Sequence, residues 1–131
     1  MREAEVKLSN FKPQELSNTL WALANLYGDL HSHNTFIQAW AKEAEGRLLH
    51  FTALELSNSL WALATLCGDQ HIHGHFMQAW VRDAAGRLSG FNPQNLSNSL
   101  WALATLCGEH GEQYSHNAFM QSWVREAEGR L

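Results

Sequence analysis

The sequence is poor in cysteine, in net positive charge and in long apolar runs. Its 131 residues include only two cysteines, Cys67 and Cys107, too few for the disulfide framework of a small secreted protein. Nine lysines and arginines stand against thirteen aspartates and glutamates, so a net charge of −4 supplies no overall basic field for nucleic acid or anionic membranes. The apolar runs are a few residues long, which excludes a transmembrane helix.

What is present has the composition of a globular protein. Hydrophobic residues make up 45% and charged residues 17% of a chain whose length suits one domain. Arg2 and Glu3 follow Met1 directly, so we expect no signal or transit peptide before the first motif.

One two-part motif occurs three times. Its first block spans residues 11–28, 51–68 and 91–108, and Trp21, Trp61 and Trp101 recur at a constant interval of 40 residues. Its second block spans residues 36–48, 76–88 and 119–131. The last copy carries three extra residues between the blocks, and we expect them in a surface turn because turns absorb changes of length.

Each repeat is predicted to form two helices. Pro13 and Pro93 suit the first turn of the first helix, and glycine at 28, 68 and 108 suits its end. The second helix is expected from about Asn34 to Glu45, with glycine ending each copy at 46, 86 and 129. Because helices this short cannot bury their apolar faces alone, the copies must stack. We therefore predict an all-α fold, a right-handed α-solenoid of tandem antiparallel helix pairs.

The predicted organisation is one continuous array. Residues 1–10 end a preceding repeat, and repeats follow at 11–50, 51–90 and 91–131. Residues 3–8 match residues 126–131, so the chain starts and stops at the same point of its period. We expect a fragment of a longer array, and self-association through uncapped ends is the less favoured alternative.

A helical projection divides the first helix into faces. The arc expected against the second helix carries Leu16, Leu20, Leu23, Ala24 and Tyr27. Two flanks should meet neighbouring first helices, and they carry Trp21 with Ser17 and Thr19 with Leu26.

The remaining arc is polar and repeats in register. It carries Gln14, Glu15, Asn18, Ala22 and Asn25, then Leu54, Glu55, Asn58, Ala62 and Thr65, then Gln94, Asn95, Asn98, Ala102 and Thr105. Amide side chains both donate and accept hydrogen bonds, so such a column can pair with the base edges of single-stranded RNA. The alternative is that this arc is only the solvated side of an amphipathic helix.

Basic residues also recur in register. Lys42, Arg82 and Arg125 lie on the second helix, and Arg47, Arg87 and Arg130 directly follow its glycine. The second group lies at the junction with the next first helix and is predicted to contact RNA phosphates. Alternatively, cations near a helix C-terminus only favour the helix dipole.

The block Pro-Gln-Glu-Leu-Ser-Asn-Thr-Leu-Trp-Ala-Leu-Ala-Asn-Leu at residues 13–26, with its two copies, resembles the octotricopeptide repeat of green-algal organelle proteins. The resemblance implies binding of chloroplast or mitochondrial transcripts and control of their stability, processing or translation. It also implies that the first helix of each repeat addresses one nucleotide. The resemblance thus points to six residues, which we call the polar ladder: Asn18, Asn25, Asn58, Thr65, Asn98 and Thr105.

Other chemistry receives less support. His-x-His spacing at His31 and His33 and again at His71 and His73 suits zinc or copper, but no cysteine or carboxylate completes a repeated site, so no metal or other cofactor is expected. Cys67 and Cys107 are expected in the core. The second-helix tryptophans, Trp40, Trp80 and Trp123, are also expected in the core rather than on a base-stacking surface. No nucleophile–base pair recurs, so we do not expect an enzyme.

Two functions remain open. The first is single-stranded RNA binding, expected to be weak because three repeats contact about three bases. The second is a protein-interaction scaffold of the armadillo or tetratricopeptide kind, which the acidic charge balance favours. Neither DNA nor a membrane is expected as a partner.

Overall fold

The computed structural model describes residues 8–27, 34–67, 74–107 and 116–130, and within those ranges every regular element is helical. The α-helices are α1 (Pro13–Tyr27), α2 (Asn34–Glu45), α3 (Ala53–Cys67), α4 (Gly74–Ala85), α5 (Pro93–Cys107) and α6 (His116–Glu128). Short 3₁₀ turns at Leu8–Asn10, Leu48–His50 and Leu88–Gly90 precede α1, α3 and α5. The predicted all-α class is confirmed, and α2 has the predicted bounds.

The starts of the first helices are fixed by capping as well as by proline. In α3, where Ala53 replaces proline, Thr52 and Glu55 form a reciprocal capping box. The Glu55 N–H donates to Thr52 Oγ1 at 3.1 Å, and the Thr52 N–H donates to Glu55 Oε1 at 2.9 Å. In α5, Asn92 and Asn95 make the same exchange at 2.6 and 3.1 Å.

The helices pack in two series. The first helices contact each other in chain order, α1 with α3 and α3 with α5, and these are the most extensive contacts between elements. The second helices do the same, α2 with α4 and α4 with α6. Contacts between α1 and α2 and between α3 and α4 join the two series. This order places equivalent residues of successive repeats side by side.

The core lies between the two series. Trp40 and Trp80 are fully buried on α2 and α4, as predicted from their spacing. Trp40 packs against Phe76 of the next repeat, with ring centroids 5.7 Å apart and planes inclined at 60°. Trp80 packs against Phe119 in the same way, at 5.6 Å and 59°. These tilted pairs link consecutive second helices at the preferred aromatic geometry.

Some predictions fall outside the described residues. They concern Gly28, Gly68, Gly108, the histidines at 31, 33, 71 and 73, and the side chains of Tyr27, Cys67 and Cys107. For the described part of the chain, none of the helices combines the length and hydropathy that a bilayer crossing needs.

Candidate nucleic-acid interface

Side-chain hydrogen bonds fix the spacing of the first helices. Ser17 Oγ on α1 donates to the carbonyl oxygen of Glu55 on α3 at 3.4 Å. Asn95 Nδ2 on α5 donates to Ser57 Oγ on α3 at 3.1 Å, and both side chains are buried. Buried polar groups with partners on a neighbouring element restrict how two helices can slide. The surface formed by α1, α3 and α5 is therefore held in one register.

A groove of about 400 Å³ runs across that surface. We call it the interhelix groove, and it is lined by Trp21, Asn25, Leu54, Asn58, Trp61, Gln94, Asn95 and Asn98. These residues come from all three first helices, and their side chains are aromatic, amide or aliphatic. None of the lining residues carries a charge.

The groove brings together half of the polar ladder. Asn25, Asn58 and Asn98 line it. Asn18 is exposed on α1 but does not line the groove, and it occupies the position of Asn58 one repeat earlier. Thr65 and Thr105 are half-buried and also lie outside the lining. The amides of the ladder are thus concentrated at one site, and its threonines are not part of that site.

Three residues assigned to the polar arc are not on a free surface. Ala62 and Ala102 are completely buried. A projection of one isolated helix cannot show that the preceding first helix covers these positions. Asn95 is also buried, because it caps α5 and bonds Ser57. Here the sequence-based assignment is wrong.

The tryptophans of the first helices are the residues that sequence reasoning left out of the site. Trp21 is 45% exposed and Trp61 is half-buried, and both line the groove. The projection predicted that Trp21 lies on a flank that meets a neighbouring first helix, and in the structure Trp21 lies beside the next first helix. The 40-residue interval of the tryptophans indicates that each repeat carries an aromatic side chain at the same position, but not that these side chains are exposed. A partly exposed indole presents a flat apolar face on which a base can stack.

One ladder amide is already partly engaged. Asn25 Nδ2 donates to the carbonyl oxygen of Trp21 at 2.8 Å, one helical turn earlier. The Asn25 amide keeps a second N–H and its oxygen for another partner. This bond also holds the amide next to the indole of the same repeat. The groove therefore pairs a stacking face with hydrogen-bonding groups at each junction.

Arg47, Arg87 and Arg130, the residues predicted to contact phosphate, donate hydrogen bonds to backbone carbonyl oxygens. Arg47 donates from Nη1 to the Phe11 carbonyl oxygen and from Nη2 to that of Ser9. Each of the three thus reaches the 3₁₀ turn that precedes the first helix of its repeat, and Arg47 and Arg87 also reach the phenylalanine that follows that turn. The equivalent acceptors are Phe51 and Leu48 for Arg87, and Leu88 and Ser89 for Arg130.

Two of these three arginines also lie close to a glutamate carboxylate. Arg130 forms an ion pair with Glu126 at 2.9 Å, and Arg47 lies 3.6 Å from Glu43. The side chains of Arg47 and Arg130 are 27% and 29% exposed. The hydrogen bonds tie each arginine to the turn before the first helix of its repeat, and contact with phosphate stays a prediction.

The described residues contain no cluster of side chains that could bind a metal ion. No group of three or more His, Cys, Asp or Glu side chains there is close enough to hold an ion. His75 lies at the start of α4 and is exposed.

No protein-family model, no curated protein and no solved structure matches this chain.

Proposed function

We propose that this chain is an octotricopeptide-like helical-repeat protein that binds single-stranded RNA along the interhelix groove. The observation that carries the proposal is the pairing of Trp21 and Trp61 with ladder amides in one groove across three repeats. In an organelle, chloroplast or mitochondrion, such binding would serve control of transcript stability, processing or translation.

The packing order supports the architecture that this function requires. First helices contact first helices and second helices contact second helices. A right-handed solenoid of antiparallel pairs is the arrangement that produces both series from short connections. It would line up one groove position per repeat, as sequential reading of a strand needs.

The chemistry of the groove suits unpaired bases. Any base can stack on an indole, and each stacked base contributes about 1–3 kcal/mol in proteins that bind single strands. The amides of Asn58 and Asn98 can donate to and accept from a base edge at the same time. A paired duplex presents no free base faces, so the groove favours single strands. The 2′-hydroxyl offers these amides a further partner that DNA lacks.

The neutral lining makes phosphate attraction a small part of binding. No lysine or arginine lines the groove, and the junction arginines are engaged with carbonyl oxygens. Affinity should therefore depend weakly on salt compared with proteins that neutralise many phosphates.

A quenching titration tests the proposal directly. Dilute protein is titrated with an excess of short RNA oligonucleotides while its intrinsic tryptophan fluorescence is followed, because a stacked base quenches an indole. Replacing Trp21 or Trp61 by leucine should weaken binding about tenfold, which corresponds to the loss of one stacked base. A parallel titration of free tryptophan amide corrects for absorption by the RNA.

Trp101→Leu is the matched control. Trp101 has the same position in its helix and is 48% exposed, but it lies outside the interhelix groove. The variant should keep the affinity of the unaltered chain. Equal affinity of all three variants, or no quenching at sub-millimolar RNA with intact helical circular dichroism, would remove RNA from the proposed function.

One observation favours the competing function, a protein-interaction surface. Leu54 lies in the groove and is 56% exposed, and an apolar side chain there suits a peptide better than a base. Leu54→Gln separates the two functions. It should leave RNA quenching unchanged or stronger, whereas a surface for apolar peptides would lose affinity.

A further inference from the structure

Helix α5, the first helix of repeat three, exposes a surface that is buried on the equivalent helices α1 and α3. Ala24 on α1 and Ala64 on α3 are buried beneath the next first helix, whereas Ala104 on α5 is exposed. Ser17 and Ser57 are buried in the same way, and Ser97 is exposed. The residue types are identical at each position, so the difference arises because α1 and α3 each pack against a following first helix.

This exposed surface forms an apolar pocket of about 610 Å³, which we call the end pocket. Leu96, Trp101 and Ala104 of α5 line it together with Trp123 of α6. The same face of α3 is covered by α5, and that of α1 by α3. The end pocket is therefore the place where a further first helix fits.

The opposite end of the array carries the complementary surface. Ala62 on α3 and Ala102 on α5 are completely buried, but Ala22 on α1 is exposed. Leu66 on α3 is 1% exposed, whereas its equivalent Leu26 on α1 is 75% exposed. These α1 positions have the residue types that face the preceding helix in the later repeats.

We propose that α1 of a second copy of this chain docks in the end pocket on α5, so that chains associate head to tail. The contact would repeat the α1–α3 and α3–α5 interfaces with the same residue types at Ala104, Ser97, Ala22 and Leu26. The two surfaces differ, so a pair of docked copies still has one free end pocket on α5 and one free α1 surface. Association of this kind adds further copies rather than stopping at a symmetric dimer.

Docking would also extend the interhelix groove by a third site at which a tryptophan and an asparagine from successive first helices lie together. Within the chain, Trp21 and Asn58 line the groove from successive first helices, and so do Trp61 and Asn98. Among the described residues, no first helix after α5 brings an asparagine beside Trp101, and none before α1 brings a tryptophan beside Asn18. In a docked pair, Asn18 of the second copy takes the place beside Trp101. This consequence rests on the proposed RNA-binding function, but the docking itself does not.

Sedimentation velocity of the full chain without RNA tests the docking. The weight-average sedimentation coefficient should rise steadily from micromolar to sub-millimolar protein. Ala104→Glu and Ala22→Glu each place a charge on one docking surface at a position exposed in the single chain, so both variants should fold and remain monomeric. An equimolar mixture of the two should form a one-to-one dimer, because each variant retains the surface that the other has lost.

Leu49→Glu is the control, since Leu49 is an exposed apolar residue on a 3₁₀ turn and on neither docking surface. This variant should associate like the unaltered chain. A monomer at every concentration would overturn the proposal, as would association of Ala104→Glu or absence of dimer in the mixture. Since no step uses RNA, failure of RNA binding leaves this test unaffected.

Discussion

Trp80 Nε1 on α4 donates a hydrogen bond of 3.0 Å to the carbonyl oxygen of Leu56 on α3. Trp40 makes the same bond to Leu16 at 2.9 Å, and Trp123 makes it to Leu96 at 3.0 Å. A carbonyl oxygen has two lone pairs, so it can accept the indole N–H in addition to its helical hydrogen bond. The bond is kept in the third repeat, although three more residues separate its donor and acceptor in the sequence.

Replacing Trp80 by phenylalanine should therefore destabilise the whole array. The change removes the indole donor and leaves a cavity where part of the ring was, in a side chain that is fully buried. We expect the free energy of unfolding to fall by about 2 kcal/mol, from the lost hydrogen bond and the cavity together. Urea denaturation followed by circular dichroism measures the change.

Trp21→Phe is the control for this measurement. Trp21 is partly exposed on α1 and keeps an aromatic side chain in the variant, so its stability should change by less than about 0.5 kcal/mol. Equal losses for both variants would mean that the Trp80–Leu56 hydrogen bond has no special role.

Much of the fold could be predicted from periodicity alone. The spacing of Phe36 and Trp40 placed both in the core, and glycine marked the end of the second helix at Gly46. The acceptor of the Trp40 N–H could not be predicted, because it depends on how α1 and α2 meet. The start of α3 was less obvious without proline, yet Thr52 and Glu55 carry the capping-box spacing in the sequence.

Arg87→Lys should lower stability although it keeps the positive charge. The guanidinium of Arg87 reaches the carbonyl oxygens of Phe51 and Leu48, the latter at 2.9 Å. An ammonium group lacks the planar fork needed to hold both acceptors. We expect a loss of about 1–2 kcal/mol in the free energy of unfolding, measured by urea denaturation.

Arg82→Lys provides the comparison, since Arg82 is exposed on α4 of the same repeat. It should be neutral within about 0.5 kcal/mol. If Arg87→Lys were equally neutral and weakened RNA binding, the arginine would act on phosphate and not on the repeat junction.

The candidate site was only partly predictable. The amides of Asn58 and Asn98 were predicted as base-facing, and both line the groove. The position of Trp61 in the groove could not be predicted, because its exposure depends on how α3 and α5 pack. Ala62 was placed on the polar arc because a projection of one helix shows no neighbours. These errors arise where stacking between repeats, rather than the single helix, decides which positions are free.

Lys12→Thr should stabilise the protein by completing a cap that repeat one lacks. The Lys12 N–H donates to Glu15 Oε1 at 2.8 Å, but lysine offers no acceptor in return. Threonine at the equivalent position of repeat two accepts from the Glu55 N–H. We expect a gain of about 1 kcal/mol in unfolding free energy from urea denaturation. Lys42→Thr, the same change at an exposed site in α2, should give no gain.

Asn58→Ala should change base preference more than overall affinity. Asn58 lines the interhelix groove, and its amide can distinguish bases by the donors and acceptors on their edges, whereas stacking on Trp21 and Trp61 cannot. Among four single-base RNA oligonucleotides, the ratio between strongest and weakest binding should fall about fivefold, equivalent to one hydrogen bond.

The comparison for Asn58 lies on the same helix. Thr65 was predicted to face a base with Asn58, but it does not line the groove. Thr65→Ala should therefore leave all four affinities unchanged. A uniform loss on every oligonucleotide for Asn58→Ala, or a changed base preference for Thr65→Ala, would contradict the groove as the site of base reading.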